Sequence, residues 1–150
     1  MSETKEGAKS AKMSFDLEER TARFGEAVIA LAKSVPENVV VSPVLSQLVR
    51  AATSVGANYC EANDSESKKD FRHKIAICRK ESHEAKHWLR MLAAADQGLR
   101  DKAAPLWVEA KELNLIFSSI FRGAKQARFE FRICRFNRDS NFVIYHELRG

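Results

Sequence analysis

Four segments of the chain carry apolar residues at alternating spacings of three and four positions. This spacing places each set along one side of an α-helix. Because the pattern repeats every seven residues, it favours nearly parallel helices that cross with a left-handed twist. The four sets are Leu17, Thr21, Phe24, Val28, Leu31 and Val35; Leu45, Leu48, Ala52, Val55, Tyr59 and Ala62; Phe71, Ile75, Cys78, Ser82, Ala85, Leu89 and Leu92; and Leu106, Ala110, Leu113, Phe117, Ile120 and Ala124.

Capping residues, glycine and prolines mark the ends of these predicted helices. Connections of about 4–10 residues favour antiparallel neighbours. We therefore predict an all-α fold, an antiparallel up-down-up-down four-helix bundle. The expected boundary signals are Asp16 as N-cap and Pro36 as the end of helix one, Ser42 as N-cap and Pro43 as the first position of helix two, Ser67 as N-cap and Gly98 as the end of helix three, and Pro105 at the start of helix four.

Two flanking segments differ from the predicted bundle, which spans residues 14–124. Residues 1–13 are polar, and we expect a flexible, poorly ordered arm there. Residues 125–150 are basic and contain two apolar runs, 129–133 and 141–145, that could pair as a hairpin. An isolated two-stranded ribbon is only marginally stable in water. We therefore expect a poorly ordered tail.

Composition restricts the class of protein. The chain has 150 residues, of which 45% are hydrophobic and 30% charged, so one domain can bury a core of its own. No apolar run approaches the roughly 18 residues of a membrane span, and residues 1–13 lack the apolar region of a secretory signal. The three cysteines are widely spaced, which predicts neither a disulfide framework nor a Cys-x-x-Cys metal site and favours the reducing cytoplasm.

The net charge of +5 is concentrated near the C-terminus, where residues 122–150 hold seven basic and three acidic groups. A second, smaller positive surplus lies along helix three and its surroundings. Basic side chains repeated on one face can contact nucleic-acid phosphates, although a solvated helix face explains them equally simply. The candidate nucleic-acid-binding residues are Arg50, Lys68, Lys69, Arg72, Arg79, Lys80, Lys86 and Arg90.

Large apolar residues also flank the core sides of helices three and four. A wide core stripe would explain them, but exposed apolar patches of this kind commonly mark contacts between subunits. We favour the second interpretation. The candidate oligomer-interface residues are Ile77, Trp88, Met91, Trp107, Ile116 and Phe121.

One short motif suggests an enzyme. His83-Glu84-Ala85-Lys86-His87 matches H-E-x-x-H, in which two histidines on one helical face bind zinc and the glutamate acts as general base. Formal candidates for a third ligand are Glu109, Glu112 and His146. However, helical phase places both histidines away from the core, and no substrate-binding sheet precedes the motif. We therefore predict no metal, cofactor or catalytic residue, and keep a zinc-dependent hydrolase as the alternative.

The run from Gln47 to Ala62, QLVRAATSVGANYCEA, resembles the helix-two signature of the four helix bundle protein family, found in intervening sequences of large-subunit rRNA genes. The similarity continues through Asp70-Phe71, Arg79-Lys80-Glu81-Ser82 and Trp88-Leu89, and covers about residues 14–124.

This resemblance implies a homopentamer of bundles without enzymatic activity. It also implies a distant similarity to accessory variability determinant proteins, which bind a reverse transcriptase and nucleic acid. We therefore predict a cytoplasmic, non-enzymatic, oligomeric interaction protein that does not enter membranes. Its expected partners are copies of itself, RNA or DNA bound electrostatically, and a reverse transcriptase.

Overall fold

The computed structural model describes the backbone of residues 3–123 and the side chains from residue 16 onward. Within that range the chain forms four α-helices and no strand: α1 (Glu3–Ser34), α2 (Val41–Asn63), α3 (Lys68–Ala95) and α4 (Arg100–Phe121), with a 3₁₀ turn at Gln97–Leu99 before α4. Each helix packs on the next, and α1 also contacts α4, which closes the bundle. The predicted all-α four-helix bundle is confirmed. The tail 125–150 and its possible hairpin lie outside the described residues.

The core includes five buried residues that the spacing did not select: Val41, Ala51, Leu99, Ala103 and Ile116. Its main part consists of the four predicted stripes, whose last residue, Ala124, lies outside the described residues. Most of their members are buried, and the rings of Tyr59 and Phe117 meet at 5.7 Å between centroids. Polar members of the stripes are satisfied locally. The Thr21 hydroxyl donates to the Glu18 carbonyl, and the Ser82 hydroxyl donates to the Arg79 carbonyl. Seven-residue periodicity therefore identified the buried sides of all four helices.

The start of α1 differs from the prediction. The backbone is helical from Glu3, so the expected N-cap at Asp16 is wrong. Residues 3–15 contain alanine, lysine and glutamate and no proline, a composition that favours continuation of a helix. The proposed boundary between an arm and the bundle at residue 14 remains a prediction.

The start of α2 is also different. The side chain of Asn38 accepts hydrogen bonds from the backbone N–H groups of Val40 (2.8 Å) and Val41 (3.4 Å). The Ser42 hydroxyl, predicted as N-cap, instead accepts from the Asn38 N–H at 3.2 Å. An asparagine commonly bonds to backbone groups two residues ahead, and this turn sets the start of the helix.

The ends of α3 and α4 were predicted in part. Ser67 is the N-cap of α3, as predicted, and its hydroxyl accepts from the Asp70 N–H at 3.1 Å. However, α3 ends at Ala95, because Asp96 leaves the helical conformation and its carboxylate accepts from the Gly98 N–H. Helix α4 begins at Arg100, so Pro105 lies in its second turn and not at its start.

A nearly buried ion pair joins α1 to α4. The Arg20 guanidinium donates to both carboxylate oxygens of Glu109, at 2.6 and 2.9 Å, and the side chains are only 15% and 9% exposed. Such a pair stabilises a fold modestly, but loss of one partner leaves an uncompensated charge in the interior. The pair therefore constrains how α1 can lie against α4.

We expect Arg20→Met to lower the free energy of unfolding by about 3 kcal/mol, because Glu109 would remain buried without a partner. The double variant Arg20→Met/Glu109→Leu should recover most of this loss. Urea denaturation measures both. Arg23→Met, which breaks the exposed Arg23–Glu19 pair, is the matched control and should cost less than about 1 kcal/mol. Equal losses for Arg20→Met and Arg23→Met would contradict the proposed constraint.

Candidate functional site

A row of basic side chains on α3 lies over aromatic side chains on α4. The guanidinium carbons of Arg72 and Arg79 lie 4.5 and 4.4 Å from the centroid of the Phe121 ring. Farther along, the Lys86 ammonium lies 5.7 Å from the Trp107 ring. These distances are within the roughly 6 Å range of cation–π attraction. We call these five residues the α3–α4 basic surface.

A seven-residue repeat holds this surface in register. Arg79 and Lys86 follow Arg72 at intervals of seven on α3, and Trp107, Asn114 and Phe121 have the same spacing on α4. Between the two aromatic rings, the Asn114 side-chain amide donates to the Arg79 carbonyl at 2.7 Å. Both helices therefore position the surface, and Asn114 joins them at its centre.

The geometry of the surface favours phosphate over nucleobases as a ligand. A guanidinium stacked on a ring keeps N–H donors at its edge, and the contact restricts its rotamers before any ligand arrives. Lys111 also lies over Trp107, at 5.6 Å from the ring centroid. Cations already lie over both aromatic rings, which hinders the stacking of a nucleobase on these rings. The exposed N–H donors can bind an anion more readily.

The other predicted nucleic-acid residues are distributed differently. Lys68, Lys69, Lys80 and Arg90 lie exposed on α3. Arg50 belongs elsewhere, because it projects from α2 onto the opposite side of α3. There its guanidinium pairs with Glu81 at 3.2 Å and with Glu84. Arg50 therefore does not join the α3–α4 basic surface within one subunit, and its role in nucleic-acid binding remains a prediction.

Arg50, Glu81, Glu84 and Trp88 form a polar network between α2 and α3. The Trp88 indole N–H donates to Glu84 at 3.2 Å, and Glu81 is buried. Burial by itself would raise the pKa of Glu84, but the hydrogen bonds from Trp88 and Arg50 outweigh it and hold that pKa below its usual value. The pKa of Arg50 is raised in turn, and the largest cause is its hydrogen bond to Glu84.

This network changes the meaning of the H-E-x-x-H motif. His83 and His87 are exposed, as helical phase predicted, and the His87 ring lies edge-on to Trp88. Glu84, the would-be general base, is bound to Arg50 and Trp88. Among residues 16–123 no three His, Cys, Asp or Glu side chains are placed to hold a metal ion together. Glu109 is bonded to Arg20, and His146 lies outside the described residues.

The candidate interface residues occupy three different places. Ile77, Trp88 and Met91 are half-buried on the side of α3 that carries Glu81 and Glu84. Trp107 and Phe121 are half-buried on the opposite side of α3, in the α3–α4 basic surface. Ile116 is only 6% exposed and belongs to the core of its own subunit, so its burial does not favour a role between subunits. Contacts of these residues with another subunit remain a prediction.

Two further surfaces lie outside the candidate site residues. The first, the outer face of α4, has Ala104, Val108, Leu115 and Ser118 around one charged residue, Lys111, and Leu115 is 41% exposed. A groove of about 380 Å³ runs between α1 and α2, with Glu18, Glu19 and Glu26 among its lining residues. The sequence pattern groups Leu115 with the large apolar residues beside the core side of helix four, whereas the structure places it on the outer face. The second depends on the relative placement of two helices, which periodicity does not specify.

Among the described helices, none combines the length and apolarity that crossing a bilayer requires.

Comparisons with known proteins agree with this architecture. The sequence profile of the 23S rRNA-intervening sequence protein family matches residues 14–119. A crystal structure of a protein with unknown function, from the S23 ribosomal protein family of Bacteroides thetaiotaomicron, is similar with a TM-score of 0.63 and 28% sequence identity. The similarity covers 70% of this chain and 97% of that one. No curated protein matches the chain. The family match spans all four helices, and the chain therefore belongs to the 23S rRNA-intervening sequence protein family.

Proposed function

We propose that this protein is a non-enzymatic interaction protein that assembles with copies of itself, as a homopentamer, and binds the phosphates of RNA or DNA through the α3–α4 basic surface. The observation that carries the proposal is the placement of Arg72 and Arg79 over one aromatic ring, Phe121. Two guanidinium groups near the same ring bring two sets of N–H donors to this part of the surface, and Lys86 extends the positive charge along α3.

The non-enzymatic part is supported by the state of the motif residues. Glu84 accepts from Arg50 and Trp88, and proton abstraction from a metal-bound water would require it to leave both partners. We expect purified protein to contain no stoichiometric zinc and His83→Ala to leave its metal content unchanged, as measured by inductively coupled plasma mass spectrometry. One zinc per chain that is lost in His83→Ala would instead favour a hydrolase.

The cytoplasmic assignment is also part of the proposal. Both cysteines in the described range, Cys60 and Cys78, are free thiols. Proteins of reducing compartments commonly keep their cysteines in this form.

Self-assembly is supported by the outer face of α4. From Ala103 to Phe121 the charged residues are Glu109, Lys111 and Glu112, and Glu109 turns inward to Arg20. Lys111 and Glu112 are then the charges that remain on this stretch, and Lys111 lies over Trp107. Beside Lys111, the half-exposed Val108 and Leu115 are available for burial by another subunit. Association driven in this way follows from removal of apolar surface from water.

We expect Leu115→Glu to reduce the assembled mass, because a carboxylate buried between subunits would lack a partner. Light scattering at micromolar concentration measures the mass against multiples of the 16.9 kDa chain. Val39→Glu makes the same chemical change at an exposed position between α1 and α2 and should leave the mass unchanged. A wild-type monomer would contradict self-assembly. An assembly equally insensitive to both variants would place the contact elsewhere.

We expect RNA or DNA binding to weaken steeply with salt, since each contacted phosphate releases counterions. Arg79→Gln should weaken binding and lower the magnitude of the log–log salt slope by about 1. Arg79→Lys keeps the charge and should retain the salt slope, but it loses the planar guanidinium donors over Phe121 and should weaken binding less than Arg79→Gln does. Fluorescence anisotropy with a labelled oligonucleotide at several salt concentrations measures both.

The matched control for nucleic-acid binding is Arg23→Gln. It removes the same charge from an exposed arginine on α1, and it should leave affinity and salt slope nearly unchanged. Circular dichroism of Arg79→Gln checks that the loss of one cation–π contact has not unfolded the bundle. Equal weakening by Arg23→Gln, or binding that does not respond to salt, would contradict the assignment to the α3–α4 basic surface.

A further inference from the structure

The α1–α2 groove lies away from the α3–α4 basic surface and has the opposite charge. Its floor is made of small residues, with Ala22 and Gly25 from α1 and Gly56 and Ala57 from α2. A side chain at Gly25 or Gly56 would meet the other helix at 3.5–3.8 Å, so the two backbones approach closely there. The result is a shallow, open trough in which Ile29 is 40% exposed.

Acidic side chains border this trough. Glu18, Glu19 and Glu26 line it, and no basic residue does. Arg23 is the nearby cation and pairs with Glu19, while Glu18 accepts from the Asn63 amide at 3.1 Å. Three carboxylates against one guanidinium leave a net negative rim around an apolar floor. A segment with basic and apolar side chains would match this combination.

The chain itself contains such a segment immediately after the described residues. Between Lys125 and Arg138 it has five basic residues and one acid, Glu130. Three phenylalanines and an isoleucine alternate with the basic residues. They are Phe129, Phe131, Ile133 and Phe136. We call residues 125–138 the basic segment.

The course of the chain brings the basic segment to the correct end of the bundle. Helix α4 ends at Phe121, and Gly123 has a positive φ of 68°, which interrupts helical geometry. A small pocket there is lined by Gly123 together with Phe71 and Arg72 near the start of α3. That start follows directly after the end of α2, where Asn63 contacts Glu18. The last described residue therefore lies at the same end of the bundle as the Glu18 end of the groove.

The basic segment is also long enough. Two helix diameters of roughly 10 Å each separate α4 from the far side of the bundle. An extended chain spans about 3.3 Å per residue, so roughly six to eight residues cover that distance. Residues from about Phe129 onward can therefore reach the groove.

We propose that the basic segment of each chain docks in the α1–α2 groove of the same chain, with its arginines against Glu18, Glu19 and Glu26 and its phenylalanines on the floor of small residues. Docking covers Ile29 and the open apolar floor, and it neutralises the acidic rim. This inference does not depend on the proposed function.

Paramagnetic relaxation in the full-length protein tests the docking. A nitroxide is attached to Cys134, within the basic segment, in a Cys60→Ser background. Cys78 stays unlabelled because burial raises its pKa to about 12. At low salt, we expect loss of the amide signals of Ala22, Gly25 and Ala57 and retention of those of Arg79 and Lys86. Added salt should restore the lost signals.

Reversing two charges at the rim of the groove tests whether its carboxylates hold the basic segment. Glu19→Lys/Glu26→Lys should restore the groove signals. The control Glu37→Lys/Glu66→Lys makes the same change in charge at exposed positions between helices and should leave them broadened. Mixing isotope-labelled, nitroxide-free chains with unlabelled nitroxide chains should produce no groove broadening.

Three results would overturn the proposal. The first is an absence of groove broadening in the singly labelled protein. The second is broadening centred on α3 and α4. The third is broadening in the mixed sample equal to that in the singly labelled one, which would show that the segment reaches the groove of another copy.

Discussion

Helix α3 packs against α2 on one side and against α4 on the other, and the arrangement of the two polar surfaces that flank α3 follows from this double contact. Its core side buries Ile75, Cys78, Ala85 and Leu89. The residues that flank this stripe on its two sides then meet different helices. Their chemistry differs accordingly, with carboxylates facing the arginine of α2 and basic groups facing the aromatic rings of α4.

The separation of charge across α3 explains why net charge alone says little about this protein. Arg50 and Glu84 compensate each other within the α2–α3 network. Arg72 and Arg79 are held by an aromatic ring, which attracts a cation without cancelling its charge. Positive charge therefore stays available on the side of α3 that faces α4. On the side that faces α2, carboxylates neutralise it. The acidic α1–α2 groove is a negatively charged surface on a bundle whose basic and acidic residues nearly balance in number.

The H-E-x-x-H motif shows how tertiary context decides the role of a short pattern. The helical spacing of His83 and His87 is correct for a ligand pair, and both are accessible. However, a metal site also requires a third ligand and a base that is free to act. Arg50 approaches from α2 and binds the base, and Glu109 is held by Arg20. Residues that could act in catalysis in another fold join helices here. This agrees with the proposed non-enzymatic function.

Periodicity alone determined the four helices and their buried sides, because a helix buries its apolar stripe whatever partner covers it. The N-cap at Ser67 followed from the preference of serine for that position. The sequence also placed His83 and His87 on the outside, since helical phase is a local property. The resemblance from Gln47 to Ala62 correctly indicated the family. Helix starts were less accurate, because the Asn38 side chain binds the N–H groups of Val40 and Val41 before Ser42 can cap the helix. In addition, no proline stops α1 between Glu3 and Asp16.

Tertiary structure decided which charges are paired and which remain available. Arg50 and Arg79 are equivalent in composition, yet one binds Glu81 and Glu84 while the other lies on Phe121. Likewise, Trp88 and Trp107 are both half-buried, but Trp88 donates to Glu84 while Trp107 lies near the Lys86 ammonium. These differences depend on the rotation of each helix about its axis and on the identity of its neighbour. Both are set by packing between residues far apart in the chain, which a local pattern does not contain.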